Sequence, residues 1–455
     1  MKTDIAYVGQ LKATSYRFSI AWSRIFPNCS GEPNEAGIKF YSDMVDEIIK
    51  NGAEPIATMW HWDEPQACFD AYQGWMSEKM ATDFANYAEF LMKRLGDRVT
   101  YWLTMNEPYN ACERGYKASM YPPALNGGLA AEMACIHHIN LAHGMAVQKG
   151  RAINKGFKFG MPLPLTWGEP ADANNPDDVT AAEVSVLYMA NMHWGPLTTG
   201  DYAANVKNDP IAGKVVLTYT PEQQAIMKNT IDFVGINYYS GQYVISDPTS
   251  MGGFKGLSHD VKPIGDVSGT PWQQVYPEGL RKGINLVAKQ YNLDVYVTEC
   301  GVSVAGEPSM ATAKQVADDQ FRIDFFNSHT QQLVLAMQED KIPVKMFLAW
   351  SLFDNFEWMS GYSERFGVVA IDFDGKTTGT ALTRTVKKSA TFLSDFFQNS
   401  HSPLQSASTK TGSGTGAGHG TNSHPNGSGI LQISALGILT AALCTVMMTR
   451  SFSLL

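Results

Sequence analysis

Short runs of apolar, β-branched and aromatic residues recur along most of the chain, and turn-forming or polar residues bound them. Such runs are typical of strands buried in a sheet. Amphipathic patterns with a helical period lie between most of them, for example over residues 41–50 and 84–94. The predicted strands cover residues 15–20, 54–62, 100–107, 158–167, 232–239, 293–299 and 345–352.

Strands that alternate with helices predict βα units and therefore a parallel sheet. Seven or eight such units in one domain of about 400 residues predict an α/β fold of the (β/α)8 TIM-barrel class. Only seven strands are found, so the barrel is predicted to lack strand 1 in this chain. Polar residues follow the predicted strands at His61, Glu107, Tyr239 and Glu299, which is the end where barrel sites are assembled.

Composition divides the chain into the barrel at residues 1–397, a flexible Gly/Ser/Thr-rich stalk at 398–429 and an apolar tail at 430–455. The tail has the layout of a glycolipid-anchor signal, and a transmembrane helix is the alternative. Both interpretations predict an extracellular, cell-surface domain. No secretory signal precedes the barrel, so the chain is predicted to be truncated at its N-terminus.

The net charge of -9 comes without a basic cluster, which disfavours nucleic acid and favours a neutral small-molecule substrate. The six cysteines form no Cys-x-x-Cys pair and have no histidine at metal spacing, so neither a metal nor a cofactor is predicted. No disulfide pairing or oligomeric state can be assigned from the sequence. Asn28 lies in an Asn-Cys-Ser sequon and is a candidate glycosylation site.

Two glutamates follow predicted strands, Glu107 in Leu-Thr-Met-Asn-Glu-Pro and Glu299 in Val-Tyr-Val-Thr-Glu-Cys-Gly. Because the carboxyl ends of barrel strands meet at one face, the two carboxylates are expected to share a site. A pair of carboxylic acids is what glycoside hydrolysis requires.

Six short motifs accompany these glutamates in order along the chain. They are Tyr16-Arg17-Phe18-Ser19, His61-Trp62-Asp63-Glu64-Pro65, Thr104-Met105-Asn106-Glu107-Pro108, Asn237-Tyr238-Tyr239, Thr298-Glu299-Cys300-Gly301 and the run from Trp350 to Trp358. Together they resemble glycoside hydrolase family 1, the β-glucosidase family, from about residue 4 to residue 397, and insect members in particular. The resemblance implies a retaining β-glycosidase acting on terminal β-D-glucosides.

The resemblance also implies roles for single residues. Glu299 would be the nucleophile and Glu107 the general acid/base, and in retaining enzymes such carboxyl groups lie about 5 Å apart. Arg17 and Tyr239 would hold Glu299 ionised, and Asn106 would bind the sugar 2-hydroxyl.

The remaining implied contacts concern the sugar and its leaving group. An acidic Glu357 would disfavour a 6-phosphosugar by charge repulsion. Trp167 is the candidate for the aglycone side. The residues matched to sugar binding are His61, Trp62, Asn106, Trp350, Glu357, Trp358 and Phe366.

Two departures from the family pattern keep alternatives open. The strand that carries a sugar-binding glutamine is missing, and Cys300 replaces an asparagine after the nucleophile, so its thiol is either inert and buried or loosens the site. These departures leave an impaired, sugar-binding cell-surface pseudoenzyme as one alternative. The resemblance to insect members leaves a thioglucosidase of the myrosinase type as the other. Glucose, galactose or fucose as the sugar is left open.

Overall fold

The computed structural model describes residues 1–399 and the backbone of Ser451–Leu454. The strands are β1 Ser15–Ser19, β2 Glu54–Trp60, β3 Tyr101–Met105, β4 Lys158–Gly160, β5 Pro162–Pro170, β6 Phe233–Ser246, β7 Phe254–Leu257, β8 Asp294–Cys300, β9 Val344–Ala349, β10 Val369–Asp372, β11 Thr383–Val386 and β12 Ser451–Leu454. The seven strands predicted from the sequence are therefore confirmed, the fourth of them as the pair β4 and β5.

Helices follow most of the barrel strands, as the pattern predicts. They are α1 Lys2–Gln10, α2 Trp22–Ile25, α3 Glu35–Lys50, α4 Gln66–Tyr72, α5 Glu78–Leu95, α6 Pro108–Ala111, α7 Gly128–Ile153, α8 Pro176–Thr199, α9 Ala204–Lys207, α10 Pro221–Met227, α11 Pro277–Tyr291, α12 Ala313–Ala317, α13 Gln320–Gln338 and α14 Lys388–Asn399. The two helical patterns noted in the sequence fall inside α3 and α5.

The large sheet is parallel except where β7 runs antiparallel to the outer half of β6. Its strands follow the order β4-β3-β2-β1-β12-β9-β8-β6-β5. Since only Met161 separates β4 from β5, the two ends of this order meet and the sheet closes into an eight-membered barrel. A separate antiparallel pair, β10 with β11, lies outside it.

The barrel position that the sequence pattern predicts to lack a strand is occupied by β12. Residues before β1 form the helix α1, whereas the backbone of β12 pairs in parallel with β1 and with β9. Two neighbouring strands with unpaired N–H and C=O groups form a template for any extended segment, which is why this position does not stay open. Residues 400–450, which hold most of the predicted stalk and tail, lie outside the described residues.

The barrel interior changes from apolar to polar along the strands. One layer consists of Ile56, Leu103, Phe233, Tyr296, Met346 and Leu348. Two residues further along β2 and β8, the inward positions are Thr58 and Thr298, and the side chain of Arg17 on β1 reaches both of them. Because side chains two residues apart share a face of a strand, the apolar layer forms the floor of a polar site. A larger apolar core separates the barrel from the surrounding helices.

Two disulfides join cysteines that the sequence could not pair, Cys29 with Cys68 and Cys112 with Cys135. Within residues 1–399 the remaining cysteine, Cys300, is free and buried. Among the helices that the structure describes, none combines the length and apolar character that crossing a membrane requires.

Candidate active site

A cavity of about 660 Å³ opens at the carboxyl ends of the barrel strands, and both glutamates line it. Ten of the residues singled out in the sequence line this cavity: His61, Trp62, Asn106, Glu107, Tyr239, Glu299, Trp350, Glu357, Trp358 and Phe366. Arg17 lies beside it and lines a neighbouring cavity of about 280 Å³. The structure therefore brings together almost all of the side chains that the sequence predicted would meet.

Glu299 reaches the cavity through an irregularity in β8. Strict alternation would place its side chain on the same outward face as Val297. The pairing of β8 with β9 shifts register between Val297 and Cys300. Over this interval β8 advances by three residues while β9 advances by two, so β8 contains one extra residue. Such an extra residue re-aims the side chains next to it. The bulge turns the carboxylate of Glu299 into the barrel mouth.

The carboxylate of Glu299 is held at both oxygens. Oε1 accepts a hydrogen bond from Arg17 Nη1 at 2.8 Å, and Oε2 accepts one from the Tyr239 hydroxyl at 2.7 Å. Arg17 is itself fixed, since its Nε donates to Thr58 at 2.9 Å and its Nη1 also donates to the Thr298 carbonyl at 3.0 Å. A buried carboxylate with these charge-assisted partners has a single orientation.

Glu107 follows β3 with a left-handed backbone, φ 43° and ψ 54°, immediately before the Pro108 that begins α6. This conformation costs a non-glycine residue about 1–2 kcal/mol, and it points the carboxyl group into the cavity. Its Oε1 accepts from Asn237 Nδ2 at 2.8 Å and its Oε2 accepts from Asn110 Nδ2 at 2.8 Å. Glu107 thus has neutral amide partners, whereas Glu299 has a cation.

The electrostatic environments of the two glutamates differ accordingly. Burial, and then the nearby charge of Glu299, raise the pKa of Glu107 to about 7. Burial also raises the pKa of Glu299, but Arg17 and Tyr239 act against this shift. When one proton is shared between the two, the carboxylate beside the guanidinium is the one that ionises, and Glu107 keeps the proton.

Asn237 is a residue that the motifs flagged without assigning a function. Its Nδ2 donates to Glu107 Oε1 and to Asn106 Oδ1 at 3.1 Å, while its Oδ1 accepts from the Thr298 hydroxyl at 2.7 Å. The signal that could have found it is its spacing, because Asn237 lies two residues before Tyr239 on β6 and shares its inward face.

Asn106 leaves one amide hydrogen for a substrate. Its Oδ1 accepts from Arg17 Nη2 at 2.6 Å, and its Nδ2 approaches His61 Nε2 at 3.0 Å. Burial and the charge of Arg17 lower the pKa of His61 to about 3, so the imidazole is neutral and Nε2 accepts from the amide. The second Nδ2 hydrogen has no partner among the contacts described, and Asn106 lines the cavity.

Aromatic rings form one wall of the cavity. Trp62 and Trp358 stack with their ring centroids 4.3 Å apart, and the Trp62 indole donates to the Asn106 carbonyl at 2.8 Å. Trp350 is tied to the end of β8, since its backbone N–H donates to the Cys300 carbonyl at 2.8 Å. Trp350 therefore keeps a fixed place next to the nucleophile strand.

The protonation state of Glu357 differs from the charged state predicted from the sequence. Burial, followed by the charges of Glu299, Glu364 and Glu107, raises the pKa of Glu357 to about 8. Below that pH the carboxyl group is neutral and can both donate and accept hydrogen bonds. A neutral Glu357 would repel a 6-phosphosugar less strongly than the predicted carboxylate.

A buried ionic network supports the cavity wall behind Phe366. Its members are Glu307, Asp319, Arg322, Asp354 and Lys387. Arg322 Nη2 donates to the Arg365 carbonyl at 2.9 Å, and the Gly367 N–H donates to Asp354 at 3.0 Å. The backbone on both sides of Phe366 is thereby fixed, and its ring packs edge-on against Tyr239 with centroids 5.9 Å apart.

Two predicted positions lie away from this arrangement. Trp167 donates to Glu169 Oε1 at 2.8 Å and is not among the residues that line the cavity, so the structure does not bring it to the aglycone side. Asn28 is exposed beside the disulfide of Cys29.

Cys300 directly follows Glu299 and is free and buried, and burial raises the pKa of its thiol. Beside it, the hydrogen bonds of Glu299 to Arg17 and Tyr239 are in place.

Within residues 1–399, no cluster of His, Cys, Asp or Glu side chains is arranged to hold a metal ion. The cavity itself offers two differently tuned carboxyl groups, Glu107 and Glu299, surrounded by hydrogen-bond donors and aromatic rings.

Comparison with known proteins agrees with this geometry. Glycosyl hydrolase family 1 matches residues 1–402. The chain is 33% identical over 450 residues to raucaffricine-O-β-D-glucosidase of Rauvolfia serpentina, covering 89% of this chain and 82% of the relative. It is 35% identical over 432 residues to β-glucosidase 32 of Arabidopsis thaliana, covering 89% and 79%.

Solved structures of β-glucosidases share the fold. The rice enzyme Os3BGlu6 superposes with a TM-score of 0.81 at 33% identity, covering 86% of each chain. The family 1 enzyme of Thermotoga maritima has a TM-score of 0.78 at 31% identity, covering 88% of this chain and 86% of that one. The resemblance to insect members stays a prediction. The chain belongs to glycosyl hydrolase family 1 and is a retaining β-glycosidase.

Proposed function

We propose that the protein hydrolyses terminal β-D-glucosides in two displacement steps at the anomeric carbon. In the first step, a Glu299 oxygen attacks that carbon and forms a glycosyl ester, while Glu107 gives its proton to the departing glycosidic oxygen. Arg17 and Tyr239 keep Glu299 ionised for the attack. Asn106 stabilises the transition state, because its remaining amide hydrogen donates a hydrogen bond to the 2-hydroxyl of the sugar.

In the second step the roles of the carboxyl groups change. Ester formation removes the charge of Glu299, which lowers the pKa of Glu107, because that charge is one of the two causes that raise it. Glu107, now ionised, takes a proton from water as the water oxygen attacks the anomeric carbon. The ester bond to Glu299 breaks, and the sugar leaves with its original β configuration.

The observation that supports this mechanism most strongly is the contrast between the partners of the two glutamates, a guanidinium and a phenol for Glu299 and two amides for Glu107. The test is hydrolysis of 4-nitrophenyl β-D-glucoside followed by proton NMR before the sugar mutarotates. The first-formed product is expected to be the β anomer. An α anomer as the first product would contradict the two-step route.

The pH dependence of kcat/KM should be bell-shaped, because the free enzyme needs Glu107 protonated and Glu299 ionised. The pKa of Glu107 is about 7, so activity is expected to fall as the pH rises through about 7. On the acid side, activity falls as Glu299 takes up a proton. The hydrogen bond from the Asn110 amide lowers the pKa of Glu107. The variant Asn110→Ala lacks this hydrogen bond, so its alkaline limb should move to higher pH. An unchanged alkaline limb would argue against Glu107 as the acid.

The two alternatives have less support. A sugar-binding pseudoenzyme is disfavoured because both glutamates lie in the cavity with their hydrogen-bond partners in place. A thioglucosidase would keep the same residues, but no observation favours it over an O-glucosidase. Comparing hydrolysis of an aryl O-glucoside with that of the matched aryl thioglucoside distinguishes the two activities.

We also propose an extracellular, cell-surface location. Two disulfides and an exposed Asn28 sequon are typical of proteins that fold in an oxidising compartment. A glycolipid anchor attached within the stalk would remove the tail, and with it β12. Phospholipase C treatment of cells that make the full chain behind a secretory signal should release the protein from the cell surface if the anchor is present. Enzyme that stays cell-bound would contradict the anchor.

A further inference from the structure

The hydrogen bond from Tyr239 to the nucleophile depends on two strand ends that keep a fixed separation. Tyr239 lies on β6 and Glu299 on β8, and the Tyr239 hydroxyl donates to the Glu299 carboxylate at 2.7 Å. The paired residues of these two strands end at Tyr238 and Cys300. Beyond that pair, the pairing of β6 with β8 no longer fixes Tyr239 against Gly301, the next residue of each segment.

The side chain of Gln273 bridges these two residues. Its Nε2 donates to the Tyr239 carbonyl at 3.1 Å and to the Gly301 carbonyl at 2.6 Å, and Gln273 is completely buried. Both partners are acceptors only, so the amide faces them with its NH₂ group and both of its hydrogens are used. Gln273 thus extends the link between β6 and β8 by one step beyond the last paired residues.

The rest of Gln273 is held within a tight turn. Its Oε1 accepts from the Ser268 hydroxyl at 3.1 Å, and its backbone carbonyl accepts from the Ser268 N–H at 3.2 Å. Its backbone N–H donates to the Thr270 carbonyl at 3.0 Å. A buried amide whose donors and acceptor all have partners keeps one orientation. The two carbonyls of the strand ends are therefore contacted from a rigid support.

The turn is fastened to the segment that follows the nucleophile and to the loop that carries Glu364. The Gly269 N–H donates to the Ser303 carbonyl at 3.2 Å, and the hydroxyl oxygens of Thr270 and Ser303 lie 2.6 Å apart. Thr270 gives its hydroxyl hydrogen to Glu364 at 2.9 Å, so it accepts from Ser303. Three separate loops therefore meet around this turn and hold it against the ends of the strands.

We propose that Gln273 is a positioning residue for the hydrolysis: its amide sets the distance between Tyr239 and Gly301 and so holds the Tyr239 hydroxyl on the Glu299 carboxylate. Gln273 is not among the residues that line the cavity, so it acts through the two strand ends and not on the sugar. The inference rests on the proposed β-glucosidase function and adds a residue that supports its first step.

The groups that face Glu299 indicate what loss of the bridge should change. The ionisable groups around its carboxylate are Arg17, Tyr239, Glu107 and Glu357. Burial raises the pKa of Glu299, whereas the charge of Arg17 and then the Tyr239 hydrogen bond lower it. When the Tyr239 hydroxyl moves away, one of these lowering effects is lost. The pKa of Glu299 then rises, and the acid limb of the kcat/KM profile moves to higher pH.

The test compares Gln273→Met with the matched control Gln274→Met through the pH dependence of 4-nitrophenyl β-D-glucoside hydrolysis. Methionine has nearly the length of glutamine but no hydrogen-bond donor, so Gln273→Met removes the bridge and fills its space. Because small misplacements of a catalytic group slow the reaction strongly, kcat should fall about tenfold, with KM within about twofold and the acid limb at higher pH.

The control makes the same change at the neighbouring buried residue of the turn. The Gln274 side chain accepts from the Ile264 N–H at 2.8 Å, and this hydrogen bond is lost in the variant. The backbone N–H and carbonyl of Gln274 bond to the Ser240 hydroxyl, and these contacts stay. Gln274→Met should therefore leave the acid limb in place.

A double-mutant cycle with Tyr239→Phe shows whether Gln273 acts through that hydroxyl. The Tyr239→Phe enzyme has no hydroxyl to position, so adding Gln273→Met should not shift its acid limb further. Gln273→Asn keeps the amide on a side chain one carbon shorter, which cannot reach both carbonyls. It should shift the limb in the same direction, and it takes the place of Gln273→Met should that variant not fold.

The outcomes separate the positioning role from the function. An acid limb that stays in place in the Gln273 variants overturns the role, as does an equal shift in Gln274→Met or a full further shift in the Tyr239→Phe background. Loss of the folded state in both Gln273 variants, measured by thermal unfolding, overturns it too, since the residue would then support the fold as a whole. In these cases glucoside hydrolysis by the wild type still supports the proposed function. A wild type that hydrolyses no β-glucoside overturns the function, and the positioning role with it.

Discussion

Glu299→Gln should reduce kcat for every β-glucoside by a factor on the order of 10⁴ or more, because an amide cannot attack the anomeric carbon. The substitution keeps the size of the side chain and an oxygen that accepts from Arg17, so the variant should fold. The measurement is release of nitrophenol from the 4-nitrophenyl glucoside, together with mass spectrometry of enzyme treated with a slowly hydrolysed 2-fluoro glucoside. Wild-type enzyme is expected to carry the sugar on Glu299.

The control for this variant is Glu183→Gln, which makes the same chemical change at an exposed position of α8. Its activity should stay within about twofold of the wild type, as is usual for surface substitutions. A Glu299→Gln enzyme that keeps a tenth of the wild-type rate, or a label found on another residue, would show that the nucleophile is misassigned.

Glu107→Ala should affect substrates according to their leaving groups. A glucoside of a poorly acidic alcohol needs the proton of Glu107, and its kcat/KM should fall by about 10²–10⁴-fold. The dinitrophenolate of a 2,4-dinitrophenyl glucoside departs without needing a proton, so kcat/KM for this substrate should change far less. The second step loses its general base, so the glycosyl enzyme should accumulate and give a burst of dinitrophenol. Steady-state and stopped-flow kinetics on the two substrates measure these effects.

Azide offers an independent check on Glu107→Ala, because a small anion can occupy the space of the missing carboxylate and attack without a base. Added azide should restore turnover of the dinitrophenyl glucoside and yield the β-glucosyl azide. The matched comparison is Asn110→Ala, which removes a hydrogen bond to Glu107 but leaves the carboxyl group. Equal loss on both substrates, with no burst and no azide effect, would contradict the acid/base role.

The stacked Trp62 and Trp358 show how the aromatic wall of the cavity depends on distant parts of the chain. The two rings come from segments almost 300 positions apart, and Tyr121 joins them from a third. No single segment specifies this wall. The loops around the mouth contribute one ring each, and the barrel brings the loops together.

The sequence by itself determined the repeated βα pattern, the barrel and nearly all members of the site, since strand periodicity and the position of polar residues after each strand are local properties. The positions of Glu107 and Glu299 after predicted strands were enough to place both at one mouth, and the family resemblance added Arg17.

Only the tertiary structure decided how those members act. The bulge before Cys300 turns Glu299 inward, and Asn237 joins the two glutamates through contacts between strands that are far apart in sequence. The pairing of the cysteines, the position of Trp167 outside the cavity and the raised pKa of Glu357 likewise depend on distances and burial across the barrel. These distances and degrees of burial involve residues from separate segments of the chain, and therefore no local sequence pattern could predict them.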